Sequence, residues 1–161
     1  HSANIKRDYK QRVELMKKAL EINPNHADAN FQYGISITSI GEFEKAKEYI
    51  FKSVELNPIS INEIFTSTCL MFCDMGLRDF ENALDNINKA IEIDPDSTGA
   101  LGFKASILAH LDRIEEAKDF LAQYQGKRPE VKNISDYEKV APTIIKEVLI
   151  EGLVKAGMPN E

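Results

Sequence analysis

Apolar residues recur along this chain at intervals of three and four, and charged residues occupy the positions between them. Near the end of the chain, for example, Ile144, Ile145, Val148, Leu149 and Leu153 form one stripe, while lysine and glutamate residues lie mostly on the other side. This spacing is typical of an amphipathic α-helix that buries one face. The hydrophobic pattern therefore predicts an all-α chain of short helices.

Proline interrupts these helical segments at nearly constant intervals. Pro24, Pro58, Pro95 and Pro129 are separated by 34, 37 and 34 residues, and the first three follow similar sequences that end in Asn or Asp. Proline lacks an amide hydrogen and restricts the residue before it, so each one is expected to lie just after a helix. The spacing predicts an internal repeat of about 34 residues.

Alanine gives a second, independent marker of the same period. Ala46, Ala83 and Ala117 follow one another at steps of 37 and 34 residues, each inside a similar acidic phrase such as Glu42–Ala46. Because proline and alanine agree in register, the repeat is a structural unit and not a coincidence of composition.

These markers resemble the tetratricopeptide repeat, a 34-residue helix-turn-helix unit with small residues at positions 8 and 20 and Pro at 32. The resemblance implies an all-α fold, a right-handed superhelix (an αα-solenoid) of helix-turn-helix repeats with C-terminal capping helices. Asn30 departs from the pattern at position 4, where a large residue is expected. Counted from Ala27, the matching residues at positions 7, 8, 11, 15, 17, 20, 24, 27 and 32 are Tyr33, Gly34, Ile37, Gly41, Phe43, Ala46, Ile50, Ser53 and Pro58.

The second and third units fit the pattern less evenly. Counting the second unit from Asn62 places Gly76 at position 15, and Leu77 and Arg78 then form a two-residue insertion in the turn. The third unit, counted from Thr98, is in strict register except for Lys104 at position 7. Two antiparallel helices approach closely only where one side chain is small. The small residues Gly34, Cys69 and Ala105 are therefore expected to face Ala46, Ala83 and Ala117, respectively.

The ends of the chain depart from the repeat. We expect the first residues to be an expression scar or a disordered segment, followed by a lone second helix of an earlier repeat that exposes an apolar stripe. The end of the chain, Glu151–Pro159, resembles the C-terminus of tetratricopeptide modules fused to bacterial class III adenylate or guanylate cyclases. The predicted division of this single domain is residues 1–5 (scar or disordered), 6–26 (half repeat), 27–60, 61–97 (repeat with insertions), 98–131, and 132–161 (helical cap).

Composition and charge restrict the partners. The chain has 161 residues and a formal net charge of −6, so it should be repelled by nucleic acid and by anionic membrane surfaces. No apolar run approaches the length of a membrane span, which excludes membrane insertion. The two cysteines, Cys69 and Cys73, are too few for a disulfide framework and suit a reducing compartment, so we expect a cytoplasmic location.

Catalytic and metal chemistry find little support in the sequence. Cys69 and Cys73 lie four residues apart on one helical face, but no further ligand is near in sequence, and buried cysteine usually behaves as a small hydrophobic residue. His26 and His110 lack a neighbouring nucleophile or carboxylate that would indicate proton transfer. We therefore expect no enzyme activity, no metal and no cofactor.

The family resemblance implies a binding site on the concave surface, which the first helix of each repeat lines. Lysine, asparagine and arginine, which capture a C-terminal carboxylate in some relatives, are missing at the corresponding positions. We expect an apolar peptide or amphipathic helix to bind there, with acidic residues at the edges favouring basic character. The expected groove residues are Asp28, Phe31, Ile35, Thr38, Glu63, Thr66, Leu70, Cys73, Gly102, Ser106 and His110, with Asp74 at the edge.

Three functions remain open at this stage. The first is a non-catalytic protein-protein interaction scaffold, a fragment of a larger bacterial signalling protein, whose partner is a protein or peptide. The second is a homo-oligomerisation domain, such as a homodimer, in which the groove or the first helix meets a second copy. The third is an accessory domain of an adenylate or guanylate cyclase whose catalytic part lies outside this chain. The groove could also hold a neighbouring segment of the protein's own chain.

Overall fold

The computed structural model describes residues 2–58 and 63–161, with the backbone alone for residues 2–10. Within these residues every regular element is helical, which confirms the predicted all-α class. The elements are α1 (Ser2–Ile22), α2 (Ala27–Thr38), α3 (Phe43–Leu56), α4 (Glu63–Gly76), α5 (Phe80–Ile93), α6 (Thr98–His110), α7 (Ile114–Lys127), α8 (Ile134–Tyr137), a short 3₁₀ helix (Thr143–Ile145) and α9 (Lys146–Lys155).

The helices pack as consecutive hairpins. α2 lies against α3, α4 against α5, and α6 against α7, while α1 packs on α2. The predicted close approach is present in the first hairpin, where Gly34 lies against the backbone of Ala46 and the side chain of Ile50. Ala46, Ala83 and Ala117 are all completely buried. The small residues therefore lie where successive helices meet, as the helix-turn-helix repeat requires.

The first helix begins earlier than expected. α1 starts at Ser2, so residues 2–5 belong to the first helix; residue 1 lies outside the described residues. Val13, Met16 and Leu20 of α1 pack against the adjoining repeat, whereas Leu15 and Ile22 are exposed. A helix extends without interruption here because residues 2–22 contain neither proline nor glycine.

The turn between α4 and α5 corrects the predicted register of the second repeat. Gly41, Arg78 and Asp112 all have positive φ, at 85°, 59° and 58°. In each turn the next amide donates a hydrogen bond to the carbonyl five residues back, as the Asp79 amide does to Asp74. Arg78 therefore occupies the place of Gly41, and the predicted insertion at Leu77 and Arg78 is wrong. The extra residues precede α4, and every position in α4 moves by two.

Two clusters of buried side chains form the core. The N-terminal cluster, between α2, α3 and α4, includes Ile37, Ile50 and Cys69, and the C-terminal cluster extends from α4 to the end of the chain. Cys69 and Ala83 belong to different clusters, so the expected contact between them is wrong; the corrected register places Met71 there instead. α4 has one face in each cluster and thereby joins the two parts of the stack.

The last helix does not extend the stack beyond α7. Asn133 caps the start of α8, because its side chain accepts a hydrogen bond from the Asp136 amide at 2.9 Å. The ring of Tyr137 in α8 meets that of Tyr124 in α7 edge to face at 6.0 Å. The chain then turns back, and α9 lies across α6. The amide of Ile134 donates to the carbonyl of Pro159 at 2.9 Å, which ties the end of the chain to the start of α8.

Candidate peptide-binding face

The corrected register defines one surface that the first helices of the three hairpins share. We call it the A-helix face, and it carries repeat positions 2, 5, 9 and 13. Its residues are Asp28, Phe31, Ile35 and Ser39 in α2; Phe65, Thr68, Phe72 and Gly76 in α4; and Gly99, Gly102, Ser106 and His110 in α6.

Four residues of α4 that we expected in the groove or at its edge are buried inside the stack. Thr66, Leu70, Cys73 and Asp74 are at most 8% exposed. Successive residues of an α-helix are about 100° apart, so a register error of two residues rotates a side chain by about 200°, to the opposite face. These residues therefore do not line the A-helix face.

The two cysteines are structural. Cys73 Sγ lies 3.5 Å from Oγ1 of Thr38, which itself is buried and donates to the carbonyl of Gly34 at 2.9 Å. Burial raises the pKa of the Cys69 thiol to about 12 and raises the pKa of Cys73 as well. Both thiols are thus protonated near neutral pH, and Thr38 is not available to a ligand. Within the described residues, no three His, Cys, Asp or Glu side chains are grouped to hold a metal ion.

Asp74 connects three helices instead of marking the edge of a groove. Its carboxylate accepts a hydrogen bond from Asn86 of α5 at 2.8 Å and forms an ion pair with Lys47 of α3. Ile37 and Leu108 occupy the corresponding position in the other two repeats, because it faces the core. The charge of Asp74 is therefore satisfied inside the protein.

The C-terminal part of the A-helix face is covered by the chain's own last helix. Ser106 Oγ donates to the carbonyl of Leu149 at 3.0 Å, and His110 Nε2 donates to the carbonyl of Val148 at 2.8 Å. Gly152 lies directly on the backbone of Ser106, where a side chain would not fit. The expected groove residue Gly102 lies against the ring of Tyr124. α9 therefore covers Ser106 and His110, and Tyr124 of α7 covers Gly102.

His110 is held from several sides. Its ring stacks on Phe80, with the centroids 4.1 Å apart and the planes parallel. Burial lowers the pKa of His110, and the nearby Lys155 and Arg78 lower it further, whereas the Val148 carbonyl and Glu151 raise it. Arg78 also donates to Glu151 of α9 at 2.7 Å, so the residue predicted as an insertion helps to hold the last helix.

The N-terminal part of the A-helix face remains open. The rings of Phe31 and Phe65 meet edge to face at 5.7 Å, and the ring of Phe72 meets that of Phe103 at 5.4 Å. Phe65 is 47% exposed, and Ile35 is partly exposed beside it. We call Phe31, Ile35, Phe65, Thr68 and Phe72 the open strip. Phe65, Thr68 and Phe72 were missed, although the 37-residue step between Ala46 and Ala83 applied to α2 would have found them.

Two acidic residues border this strip. Asp28 and Glu63 are exposed in the first turns of α2 and α4. Among the described residues neither of them forms an ion pair. His26 is the N-cap of α2, and its Nδ1 accepts a hydrogen bond from the Ala29 amide at 3.3 Å. The open strip is therefore apolar with a negative border.

Comparison with known sequences agrees with the fold. Three models described as tetratricopeptide repeats match residues 2–26, 15–48 and 75–136, which together make up about two thirds of the chain. Anaphase-promoting complex subunit 3 of Schizosaccharomyces pombe is 27% identical over 134 residues. That match covers 83% of this chain but 19% of the subunit, so the chain spans about a fifth of that relative.

Solved structures show the same arrangement of helices. A crystal structure of MamA matches with a TM-score of 0.66 at 18% identity, over 96% of this chain and 90% of that one. The structure of YrrB, described as a tetratricopeptide repeat protein with an unusual peptide-binding site, matches with a TM-score of 0.65 at 19% identity, over 95% and 78% of the two chains. No helix among the described residues has the length and hydropathy needed to span a membrane. By its sequence matches and its fold, this chain is a tetratricopeptide repeat protein.

Proposed function

We propose that the chain is a non-catalytic protein-interaction module that binds an amphipathic helix of its partner on the open strip. The observation that carries this proposal is the division of the A-helix face. α9 covers Ser106 and His110 in the C-terminal part, whereas Phe31 and Phe65 keep solvent contact in the N-terminal part. Partly exposed aromatic residues supply large contact area at low entropy cost and are enriched at protein interfaces.

A helix is the occupant that we propose because α9 already packs on part of the same face. A helix lies on α6 of the same face and accepts hydrogen bonds from Ser106 and His110. The neighbouring surface of α2 and α4 offers apolar side chains at the corresponding places, including Ile35 and Phe72. Helices that dock in grooves do so through an apolar stripe. Asp28 and Glu63 favour lysine or arginine at the borders of that stripe.

The test is a selection of phage-displayed 18-residue helical peptides against the protein. Phe31→Asp and Phe65→Asp should each weaken the selected peptides at least tenfold, because a carboxylate replaces an apolar anchor. Phe51→Asp in α3 is the matched control, because Phe51 is 48% exposed and Phe65 is 47% exposed. Circular dichroism of each variant reports whether the helices remain intact.

Two results would contradict this function. Peptides that bind both Asp variants of the open strip as tightly as the wild type would place the site elsewhere. Failure to select any peptide from a library that also contains basic amphipathic helices would argue against helix capture. Leu70→Asp is unsuitable as a probe, because Leu70 is buried and the variant would be expected to unfold.

Self-association is the second candidate, and the first helix favours it. Leu15 and Ile22 are exposed and lie seven residues apart, which places them on the same face of α1. A second copy would bury this face. Light scattering at several protein concentrations, on the wild type and on Leu15→Glu, should then show a mass that rises with concentration in the wild type alone. A constant monomer mass would exclude this candidate.

The relation to cyclases stays a prediction, as does the assignment to bacterial signalling. The residues that carry the resemblance include Gly152, Leu153, Ala156 and Met158, all of which are buried against the rest of the fold. Packing in the core constrains these residues, so the similarity does not require a shared catalytic partner. The reading frame that encodes the full protein would decide whether a catalytic domain precedes this chain.

A further inference from the structure

A cavity lies between the C-terminal end of α4 and the segment that begins the last helix. Its volume is about 440 Å³, within the usual range for ligand pockets. Phe43 and Gly76 form one wall, and residues 143–148 form the other. Gly76 lies on the ring of Phe43, and a methyl group on Gly76 would overlap that ring. The missing side chain at Gly76 thus lets the Phe43 ring pack on the C-terminal end of α4, where the two residues form the wall.

The walls of this cavity are mostly apolar, with one acidic group. Ile144, Ile145 and Val148 contribute apolar side chains from the 3₁₀ helix and the first turn of α9. Lys146 pairs with Glu138 at 3.7 Å. Glu147 is exposed and, among the described residues, forms no ion pair. A ligand of complementary chemistry therefore brings an apolar side chain with a positive charge beside it.

Phe65 and Gly76 are eleven residues apart in one helix, which corresponds to about 16 Å along α4. Eleven residues also make about three turns, so positions i and i+11 of a second helix lie on the same face. A partner helix lying along α4 with one anchor on Phe31 and Phe65 therefore brings its residue eleven positions away to this cavity.

We infer that the partner helix carries two apolar anchors eleven residues apart, the second of which enters the cavity between Gly76, Phe43 and the start of α9, with a lysine or arginine beside it for Glu147. This inference rests on the proposed function. It gives the C-terminal segment a role in recognition, because the segment that fills the α6 part of the A-helix face also supplies a wall of the remaining site.

The experiment uses two synthetic 18-residue amphipathic helical peptides and measures their dissociation constants by fluorescence anisotropy. One peptide has leucines eleven positions apart and a lysine one turn from the second leucine; the other has alanine in place of the second leucine. The leucine peptide should bind the wild-type protein about tenfold more tightly, the usual effect of losing one buried anchor. Thr143→Trp, at an exposed position on the cavity wall, should abolish that advantage and leave the alanine peptide unaffected.

A charge exchange gives an independent readout. Glu147→Lys should weaken the leucine peptide severalfold, and a peptide with glutamate in place of the lysine should recover the affinity. If the leucine and alanine peptides bind the wild type equally, the second anchor is contradicted, whereas binding on the open strip is not. If Phe65→Asp changes the binding of neither peptide, or if neither binds the wild type, the proposed function fails and this inference fails with it.

Discussion

The N-terminal and C-terminal parts of the A-helix face are built from the same repeat but differ in exposure, because the first is open to solvent and the second is covered by α9. At positions 9 and 13, α2 presents Ile35 and Ser39 to solvent, whereas α6 presents Ser106 and His110 to the backbone of α9. Polar side chains on α6 donate to helical carbonyls, whereas within residues 2–58 and 63–161 no helix covers the apolar side chain on α2 in this way. The same repeat surface is thus buried where the chain folds back over it, and it stays accessible to a partner where the chain does not.

The two buried clusters differ accordingly. Among the described residues, the N-terminal cluster has seven buried hydrophobic residues and the C-terminal cluster has twenty-three, including Ile145, Leu149 and Leu153 from the last segment. Buried apolar area is the main favourable contribution to folding. We therefore expect the C-terminal part to be the more stable one and the N-terminal part to open first.

The largest expected effect comes from breaking the contact of α9 with α6. A methyl group at Gly152 would overlap the backbone and hydroxyl of Ser106, so Gly152→Ala should lower the free energy of unfolding by about 3 kcal/mol in urea denaturation. Gly126→Ala is the matched control, because no atom lies near that position and alanine favours the helix by about 0.5–1 kcal/mol. Equal stability of the two variants would contradict the position of α9.

The next effect concerns the joint between the two parts. Asp74→Ala should cost about 2 kcal/mol, because it removes the partner of Lys47 and of Asn86 at a buried site. The double variant Asp74→Leu with Lys47→Met should be within about 1 kcal/mol of the wild type, since Leu108 fills the same place in the third repeat. If Asp74→Ala leaves the free energy of unfolding unchanged, the contacts of Asp74 with Lys47 and Asn86 contribute little to stability.

A smaller effect on stability separates interface from core. Phe65→Ala should lower the free energy of unfolding by about 1 kcal/mol, because the ring is half exposed and its edge contact with Phe31 is lost. The same variant should weaken peptide binding at least tenfold. A loss of several kcal/mol in thermal or urea unfolding, without an effect on binding, would assign Phe65 to the core instead.

The smallest effect is a dependence on pH. Burial lowers the pKa of His110 below its ordinary value of 6.5, so the unfolded chain takes up the proton more readily than the folded one. The contribution of His110 to the free energy of unfolding should therefore be fully present above about pH 6.5. It should decline as the pH falls through that value towards the folded-state pKa. His110→Gln, whose amide keeps a donor for the Val148 carbonyl, should flatten this dependence in melting temperatures between pH 7.5 and 5. An unchanged profile would remove His110 as the cause.

The fold was predictable from the sequence because close helix packing restricts a few residues strongly. Ala46, Ala83 and Ala117 are completely buried, and a larger side chain at any of them would separate two helices. The spacing of these alanines therefore predicts the helix-turn-helix architecture. The prolines predict where helices end, because each one restricts its own backbone and that of the residue before it.

The site was less predictable because its register and covering depend on distant parts of the chain. The sequence pattern aligns Gly76 with Gly41, the turn glycine of the first repeat. In the structure Arg78, with φ of 59°, occupies that turn position instead. Side-chain type was a weaker guide than the 37-residue step from Ala46 to Ala83. The return of α9 onto α6 is a tertiary contact, and its one local sign, Gly152, is interpretable only beside Ser106.

Amide hydrogen exchange by mass spectrometry, on the free protein and on the protein saturated with a selected helical peptide, tests the division of the A-helix face most directly. We predict slow exchange in α6 and α9 in both states, and new protection on peptide addition in α2 and α4. New protection in α6 with faster exchange in α9 would mean that the partner displaces the last helix, and the division described for this molecule would be wrong.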